Sequence, residues 1–249
     1  MTIIDTHTHL YDVPDAGTVL RAAAAAGVSD VVVLGVDLAS NRKHLELAGG
    51  GHAVPRIHLA FGLHPGNITS SGDTEACLSF IREHAPKALA IGECGLDFHY
   101  KGVDEARKRE QRDAFARQLA LAKEFDLPVV VHSRAAFRES LEMLAAAGVA
   151  KADFHWYTGP LDVLKDILDK GFFVSVSPAL EYSPEAKAVA AYAPLGRILV
   201  ETDTPVRGWT PVDVWRTEKK LAAIKGLAEE DVLAAVNTNA RAFFNIPVL

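Results

Sequence analysis

Short apolar runs rich in β-branched residues alternate with longer amphipathic segments along the whole chain. The runs have the length of strands, and the segments between them repeat their apolar positions at the spacing of a helix. This pattern predicts strands over residues 3–9, 30–36, 56–63, 88–93, 129–132, 152–155, 172–176 and 198–203. It predicts helices over residues 18–26, 40–48, 74–84, 110–125, 137–147, 161–170, 184–192, 212–225 and 230–243.

The predicted strands are apolar at nearly every position, which is typical of parallel strands buried on both faces. Eight strand–helix units in 249 residues match the usual size, about 250 residues, of a (β/α)8 barrel. We therefore expect an α/β protein with a single (β/α)8 TIM barrel over residues 1–249, because no linker, charge block or internal repeat divides the chain. A doubly wound open sheet is the alternative that a strand count leaves open.

Polar side chains that can bind metals stand at the carboxyl ends of six predicted strands. In a barrel those ends form one mouth, where active sites are built. An apolar barrel has no structural use for five histidines and two carboxylates at one end unless they pair or bind metal. We therefore predict a metal site at the carboxyl ends of the strands. Its candidate residues are His7, His9, His64, Glu93, His132, His155 and Asp203.

The spacing and chemistry of these residues suggest roles. His7 and His9 are two apart, so their side chains share one face of a strand and can reach one metal. Glu93 has two oxygens and can bridge two cations about 3.5–4 Å apart, which suggests a dinuclear centre. Asp203 lies nearer the mouth than Glu201, so it is the better candidate to ligate a metal and accept a proton, and Glu201 is expected to support the site.

Other polar and aromatic residues near the strand ends have more than one interpretation. Arg134 can bind a phosphate oxygen as a planar fork, or it can form an ion pair, with Glu93 among the possible partners. Trp156, Tyr157 and Trp209 can stack a base or pack the loops. The remaining histidines are expected outside the site: His44, His52 and His84 in solvent, His58 in the core and His99 in a loop.

Composition narrows the choice of partner and compartment. The net charge of -6 argues against a broad grip on a nucleic-acid backbone, so any phosphate contact must be local. Cys77 and Cys94 match no metal or redox spacing, which excludes a disulfide scaffold and favours a reducing compartment, by default the cytoplasm. No run approaches the ~20 apolar residues of a membrane span, no signal peptide is visible and no protein partner is indicated.

Six motifs follow one another at the strand ends. They are HTH at 7–9, GLHP at 62–65, GECGLD at 92–97, HSR at 132–134, HWYTG at 155–159 and ETDTP at 201–205. Together they resemble the TatD family of metal-dependent deoxyribonucleases over nearly the whole chain. The resemblance implies an amidohydrolase-type barrel with two divalent metal ions that acts on DNA. It implies that His7, His9, Glu93 and Asp203 bind one ion, that Glu93, His132 and His155 bind the other, and that His64 and Arg134 contact the scissile phosphate.

The chain departs from the family pattern at two places. The family usually follows its aspartate motif with a proline-rich stretch that ends in Arg-Asn-Glu-Pro, whereas residues 206–213 read VRGWTPVD. This loop is shorter and differently charged, so the resemblance does not extend to the family's substrate preference. Residues 156–158 read Trp-Tyr-Thr where Cys-Phe-Ser is frequent, which changes packing more than chemistry.

Three functions compete for this pattern. The first is a phosphodiesterase that cleaves single-stranded DNA or DNA ends, with Asp203 accepting a proton from water. The second is a hydrolase of an ester, lactone or cyclic amide; many such relatives bridge their metals with a carboxylated lysine on the fourth strand, where this chain has Glu93 and only Lys87 before it. The third, a non-catalytic barrel with a structural metal, is disfavoured because structural sites are closed and often rich in cysteine. Histidine and carboxylate ligands suit Zn, Mn, Fe or Co, and an oxygen-rich site also accepts Mg.

Overall fold

The computed structural model describes residues 1–50, 55–99 and 102–247. Eight strands of this part of the chain form one sheet, in which each strand pairs in parallel with the next along the chain. They are β1 (Ile3–Thr8), β2 (Val28–Leu34), β3 (Arg56–Phe61), β4 (Ala90–Asp97), β5 (Val129–Arg134), β6 (Ala152–Phe154), β7 (Phe173–Val176) and β8 (Ile198–Val200).

Contacts between β1 and the segment at the end of β8 close this sheet. Thr8 forms a parallel bridge with Thr204. The Thr6 hydroxyl donates to the Val200 carbonyl at 2.9 Å, and the Asp203 N–H donates to the His7 carbonyl at 3.0 Å. The predicted barrel is therefore confirmed, and the open sheet is wrong.

Helices connect the strands on the outside of the barrel, as the periodicity predicts. Side chains mark where some of them begin: the Asp37 carboxylate accepts the Ser40 N–H at 2.8 Å, and the Asp104 carboxylate accepts the Arg107 N–H at 2.8 Å. The α-helices of the described residues are α1 (Ala16–Ala25), α2 (Leu38–Gly49), α3 (Ser71–His84), α4 (Glu105–Glu124), α5 (Phe137–Ala147), α6 (Leu161–Asp169), α7 (Pro184–Tyr192), α8 (Val214–Lys225) and α9 (Glu229–Phe244).

Both faces of the strands are buried. Val33 of β2 belongs to a large apolar cluster that includes helix residues such as Phe115 of α4. Its neighbours Val32 and Leu34 belong to a second cluster, which includes Phe243 at the end of α9. This burial explains why the strands read as continuous apolar runs rather than as alternating patterns.

The strand bounds differ from the prediction where the site is built. The sequence pattern ends the fourth strand at Glu93, but β4 continues to Asp97 because residues 94–97 pair with residues 131–134 of β5. Glu93 therefore lies in the middle of a strand. His64 and His155 follow their strands, and their backbone N–H groups donate to the carbonyls of Val36 at 2.9 Å and Val131 at 3.1 Å.

The prediction that His44 lies in solvent is wrong. Its side chain is fully buried on α2, and its Nε2 accepts the Tyr11 N–H at 3.0 Å. The apolar positions of α2 give no sign of this burial, because the segment after β1 folds back over the helix. His44 thus anchors the loop that follows the first candidate ligands.

The other histidines outside the site vary in their surroundings. His58 is half-buried on β3, and its Nε2 lies 2.7 Å from Asp30 Oδ1, so it has the partner expected of a core histidine. His84 is half-buried rather than solvated, because its ring packs edge-on against the Phe80 ring of α3, with the ring centroids 4.2 Å apart. His99 is exposed, and His52 lies outside the described residues.

The sequence predicts free cysteines and no membrane span, and both predictions bear on the compartment. Cys77 and Cys94 are both buried and free. Among the described residues, no helix is both long and apolar enough to cross a membrane.

A substitution of Gly95 on β4 tests how closely β4 must approach β5. Its φ is +144°, and a Cβ there would lie 2.0 Å from the His132 carbonyl oxygen. We expect Gly95→Ala to lower the free energy of unfolding by about 3 kcal/mol, through backbone strain and this overlap. Gly196→Ala, where a Cβ meets nothing within 4 Å, is the control and should change it by less than about 0.5 kcal/mol. Urea unfolding curves measure both, and equal stabilities would refute the close approach.

Candidate metal centre

The barrel brings all seven predicted site residues together at one end. His7, Glu93 and His132 lie within strands, and the other members lie one to three residues beyond the ends of strands. A cavity of about 840 Å³ opens over them. His7 is fully buried beneath it, and the cavity lining includes His9, His64, Glu93, His132, Arg134, His155 and Asp203.

The Glu93 carboxylate lies between two groups of histidines. Its Oε2 is 3.4 Å from His7 Nε2 and 3.1 Å from His9 Nε2. Its Oε1 is 2.9 Å from both His132 Nδ1 and His155 Nε2. Each oxygen therefore faces its own group of nitrogen ligands, which is the arrangement that a bridging carboxylate requires.

His9 shows why this group of atoms needs a cation. The Leu34 carbonyl can only accept, so the 2.9 Å contact with His9 Nδ1 places the ring proton there. The lone pair of the neutral ring is then on Nε2, which lies 3.1 Å from a Glu93 oxygen and 3.2 Å from Asp203 Oδ1. A lone pair and two carboxylates repel one another unless a proton or a metal ion lies among them.

Three sets of side chains place ligand atoms within 4.8 Å of one another. The chemistry of these sets, imidazole nitrogen with carboxylate oxygen, is that of a divalent transition metal site. Several of the buried atoms, among them Asp203 Oδ1 and both Glu201 oxygens, have no hydrogen-bond partner among the described residues. The donor atoms therefore fit metal ions. The sets are His7, His9 and Asp203; His64, Glu93 and His132; and His7, His155 and Glu201.

The electrostatics of the centre keep the Glu93 carboxylate ionised. Burial acts to raise the pKa of Glu93, but the charge of His155 and the hydrogen bonds from His132 and His155 outweigh it and hold that pKa well below its usual range. Burial acts to lower the pKa of His9, but Asp203 and Glu93 outweigh it and raise that pKa to about 10. The carboxylates of Glu93 and Asp203 therefore favour a positive charge beside His9, carried by a proton or by a metal ion.

Asp97 is a member of the centre to which the sequence pattern assigned no role. Its Oδ2 lies 2.9 Å from His132 Nε2. The Gln111 amide fixes its backbone by accepting the Asp97 N–H at 2.9 Å and donating to the Asp97 carbonyl at 3.0 Å. A carboxylate four residues after Glu93, on the same face of an extended strand, was the available signal. Asp97 orients the His132 ring, as carboxylates beside metal-binding histidines do.

Glu201 supports the centre from below, as the sequence analysis expected. It is fully buried, with one oxygen 3.5 Å from His7 Nδ1 and the other 3.6 Å from His155 Nδ1. One carboxylate thus faces one histidine from each of the two groups around Glu93. Glu201 can orient both rings at once.

The two residues expected to contact phosphate lie at the edge of this arrangement. The Gly66 N–H donates to His64 Nδ1 at 2.9 Å, so the neutral His64 ring carries its proton on Nε2, which points into the site. Burial and the charge of His132 lower the pKa of His64 to about 3. Arg134 is exposed on the cavity wall and forms no ion pair with any described residue, so the alternative of a Glu93–Arg134 pair is wrong.

Aromatic residues near the mouth divide between packing and exposure. Tyr157 is buried, and its hydroxyl donates to the Pro160 carbonyl at 2.8 Å, so it packs the loops. Trp156 lines the cavity and packs on the buried Trp209 with ring centroids 5.6 Å apart.

The family follows from comparison with known proteins. Residues 4–245 match the sequence profile of the family described as TatD related DNase. The chain belongs to the TatD family of metal-dependent hydrolases. The resemblance carried by the six motifs is therefore confirmed over nearly the whole chain.

Individual relatives span the same length. This TatD-family chain is 31% identical to human "Deoxyribonuclease TATDN3", over 97% of the chain and 94% of the relative. It is 30% identical to Bacillus subtilis YabD, named an uncharacterized metal-dependent hydrolase, over 98% of the chain and 99% of the relative. The crystal structure of YJJV, a TatD homologue from Escherichia coli, has a TM-score of 0.88 at 27% identity and covers 98% of both chains.

The contact between Asp97 and His132 predicts an effect on metal affinity. We expect Asp97→Asn to weaken the binding of a divalent ion about 10–100-fold, because an amide does not fix the His132 ring as a carboxylate does. Competition with a chromophoric chelator measures the affinity. The exposed Asp162→Asn is the matched control, and an Asp97→Asn protein that is folded and binds metal like the control would contradict the role of Asp97.

Proposed function

We propose that this chain is a divalent-metal-dependent phosphodiesterase that cleaves DNA in single strands or at strand ends. The observation that carries the proposal is the position of Glu93, with its two oxygens facing separate groups of histidines at the base of an open cavity. Structural metal sites are closed, whereas catalytic sites leave room for substrate. The similarity to a human deoxyribonuclease supports DNA as the substrate.

The ligand assignment is part of the proposal. Two divalent ions lower the pKa of a water molecule, polarise a phosphoryl oxygen and offset the charge that develops on it. Zn, Mn, Fe and Co suit the imidazole ligands, and Mg suits the carboxylates. His7, His9, Glu93 and Asp203 would hold one ion, and Glu93, His132 and His155 would hold the other.

Asp203 is the residue that we assign to proton transfer. Its side chain is nearly buried at the cavity wall, and its backbone N–H is fixed on the His7 carbonyl at 3.0 Å. It lies beside His9 and is open to the cavity, so it can accept a proton from the attacking water. Glu93, as the shared ligand, fixes the place where that water reacts.

His64 and Arg134 are the residues that we assign to the phosphate. The ring proton of His64 on Nε2 makes it a donor toward the site rather than a ligand, which supports a contact with a phosphate oxygen. The Arg134 guanidinium is free to form a bidentate contact with a second oxygen. Together they would hold the phosphodiester against the metal centre.

The net charge of the chain shapes how such a substrate binds. With a net charge of -6, the surface does not attract a long polyanion. The positive charge that binds the phosphate must therefore come from the metal ions and from a few side chains in the cavity. This favours weak, salt-sensitive binding of single strands or ends over tight binding of a duplex. The proposed partner is thus DNA or another phosphoester.

Extent and location belong to the proposal as well. The barrel elements run from Ile3 to Phe244, which supports one hydrolase domain over residues 1–249. The cytoplasmic location stays a prediction, based on the two cysteines.

Asp203→Asn tests the proton acceptor. We expect turnover of single-stranded DNA to fall at least 100-fold, because general base catalysis alone contributes about 10²–10⁴. The exposed Asp169→Asn should keep full activity. Rates are compared after reloading with the same ion, and circular dichroism checks the fold. An unchanged rate in folded Asp203→Asn would remove this role.

A screen of metals against substrates tests the reaction class. The protein is stripped with a chelator, reloaded with Zn, Mn, Fe, Co or Mg, and offered single-stranded DNA, methyl 4-nitrophenyl phosphate, lactones and cyclic amides. We expect activity to disappear on stripping, to return with at least one ion and to be confined to the phosphodiesters. Turnover of lactones or amides without any phosphodiester cleavage would favour the alternative function, although no lysine of the described residues lines the cavity.

A further inference from the structure

One wall of the cavity is built by the segments that follow β6, β7 and β8. Its members are Trp156, Tyr182, Val206 and Arg207, which we call the aromatic–arginine wall. Few large apolar side chains of the described residues are exposed, yet two of them, Tyr182 at 47% and Val206 at 37%, lie in this wall. Exposed apolar side chains beside a polar site are typical of a surface that a ligand covers.

The charge in this wall is available to a ligand. The Arg207 guanidinium lies 4.7 Å from the centre of the Tyr182 ring, and it forms no ion pair with any described residue. The neighbouring carboxylate, that of Glu181, is already bound by Arg216, with Nε to Oε1 at 2.9 Å. Glu185 also lines the cavity, and its carboxylate accepts the Ser183 hydroxyl at 2.8 Å.

The wall is held at a fixed place beside the metal centre. The loop with Arg207 begins at Asp203, whose carbonyl accepts the Val206 N–H at 2.9 Å. It is fixed again at Trp209, which is buried and packs on Trp156. A ligand that reacts at Asp203 therefore has Tyr182 and Arg207 beside it.

We propose that the aromatic–arginine wall is a subsite for the nucleotide next to the scissile phosphodiester. The base stacks on Tyr182, and Arg207 pairs with the adjoining backbone phosphate. A partly exposed aromatic ring and a guanidinium without an ion-pair partner are groups with which proteins bind single-stranded nucleic acids. The inference rests on the proposed phosphodiesterase function and adds which part of the substrate is recognised.

Tyr182 is tested with 4-nitrophenyl phosphodiesters that carry either a nucleoside or a methyl group. Thymidine 5′-(4-nitrophenyl phosphate) and its 3′ isomer are compared with methyl 4-nitrophenyl phosphate, which has the same leaving group. Tyr182→Ala should lower the ratio of kcat/KM for the better thymidine ester over the methyl ester about tenfold, in line with one stacked base. Tyr182→Phe keeps the ring and should keep the ratio. Tyr192→Ala, a tyrosine equally exposed at 47% but outside the cavity, is the matched control.

Arg207 is tested with a longer substrate and with salt. Binding of a fluorescein-labelled oligothymidylate is measured with Mn²⁺-loaded Asp203→Asn protein, with and without the Arg207→Gln substitution. Arg207→Gln should weaken this binding and reduce the slope of log affinity against log salt concentration by about one. Arg109→Gln, which removes an exposed arginine on α4, should leave both unchanged.

The outcomes separate the subsite from the reaction. If wild-type protein cleaves the thymidine and methyl esters equally well, or if Tyr182→Ala leaves their ratio and oligothymidylate binding unchanged, the subsite is wrong while the phosphodiesterase function stands. If no phosphodiester is cleaved, the proposed function fails, and the subsite is then judged by binding alone. A tenfold loss of oligothymidylate binding in Tyr182→Ala but not in Tyr192→Ala supports it.

Discussion

The structure depends on one buried carboxylate, that of Glu93. Removing an ion of this kind from water costs several kcal/mol unless partners replace the water. Here the partners are histidines from five other positions of the barrel wall, each within 3.5 Å of a Glu93 oxygen. Their side chains reach Glu93 only if the strands that place them end at the same level. The register of the sheet and the contacts of the site thus depend on the same strand positions.

That constraint explains the backbone around Glu93. A Cβ on Gly62 would lie 2.5 Å from the Glu93 carbonyl oxygen, so the end of β3 and the middle of β4 come together only because no side chain stands between them. The same approach brings His64 within reach of the centre. Asp97 and Glu201 face the imidazoles of His132, His7 and His155 at the nitrogens that point away from Glu93. The positions of these candidate ligands are therefore set by a neighbour as well as by their own strands.

The two sides of the cavity have different tasks. The strands supply a rigid centre, whose residues are fixed by burial and by the sheet. The segments after β6 to β8 supply most of the exposed groups, and these segments include residues 206–207. Loops on a rigid scaffold can change without disturbing the chemistry beneath them. The proposed action of an acidic protein on a polyanion relies on Arg134 and Arg207 in the cavity and on the metal ions that the mouth would hold.

The sequence by itself determined the fold class, the eight strands and the residues that meet at the mouth. Apolar runs must be buried, and polar residues at their ends must converge if the sheet closes. Only the tertiary structure decided that β4 passes Glu93, that Asp97 holds His132 and that His44 is buried under the loop at Tyr11. These features are contacts between residues far apart in the chain. The pattern of apolar positions along the chain indicates whether a residue is buried, through the residues next to it. It does not indicate which atom of another strand lies against that residue.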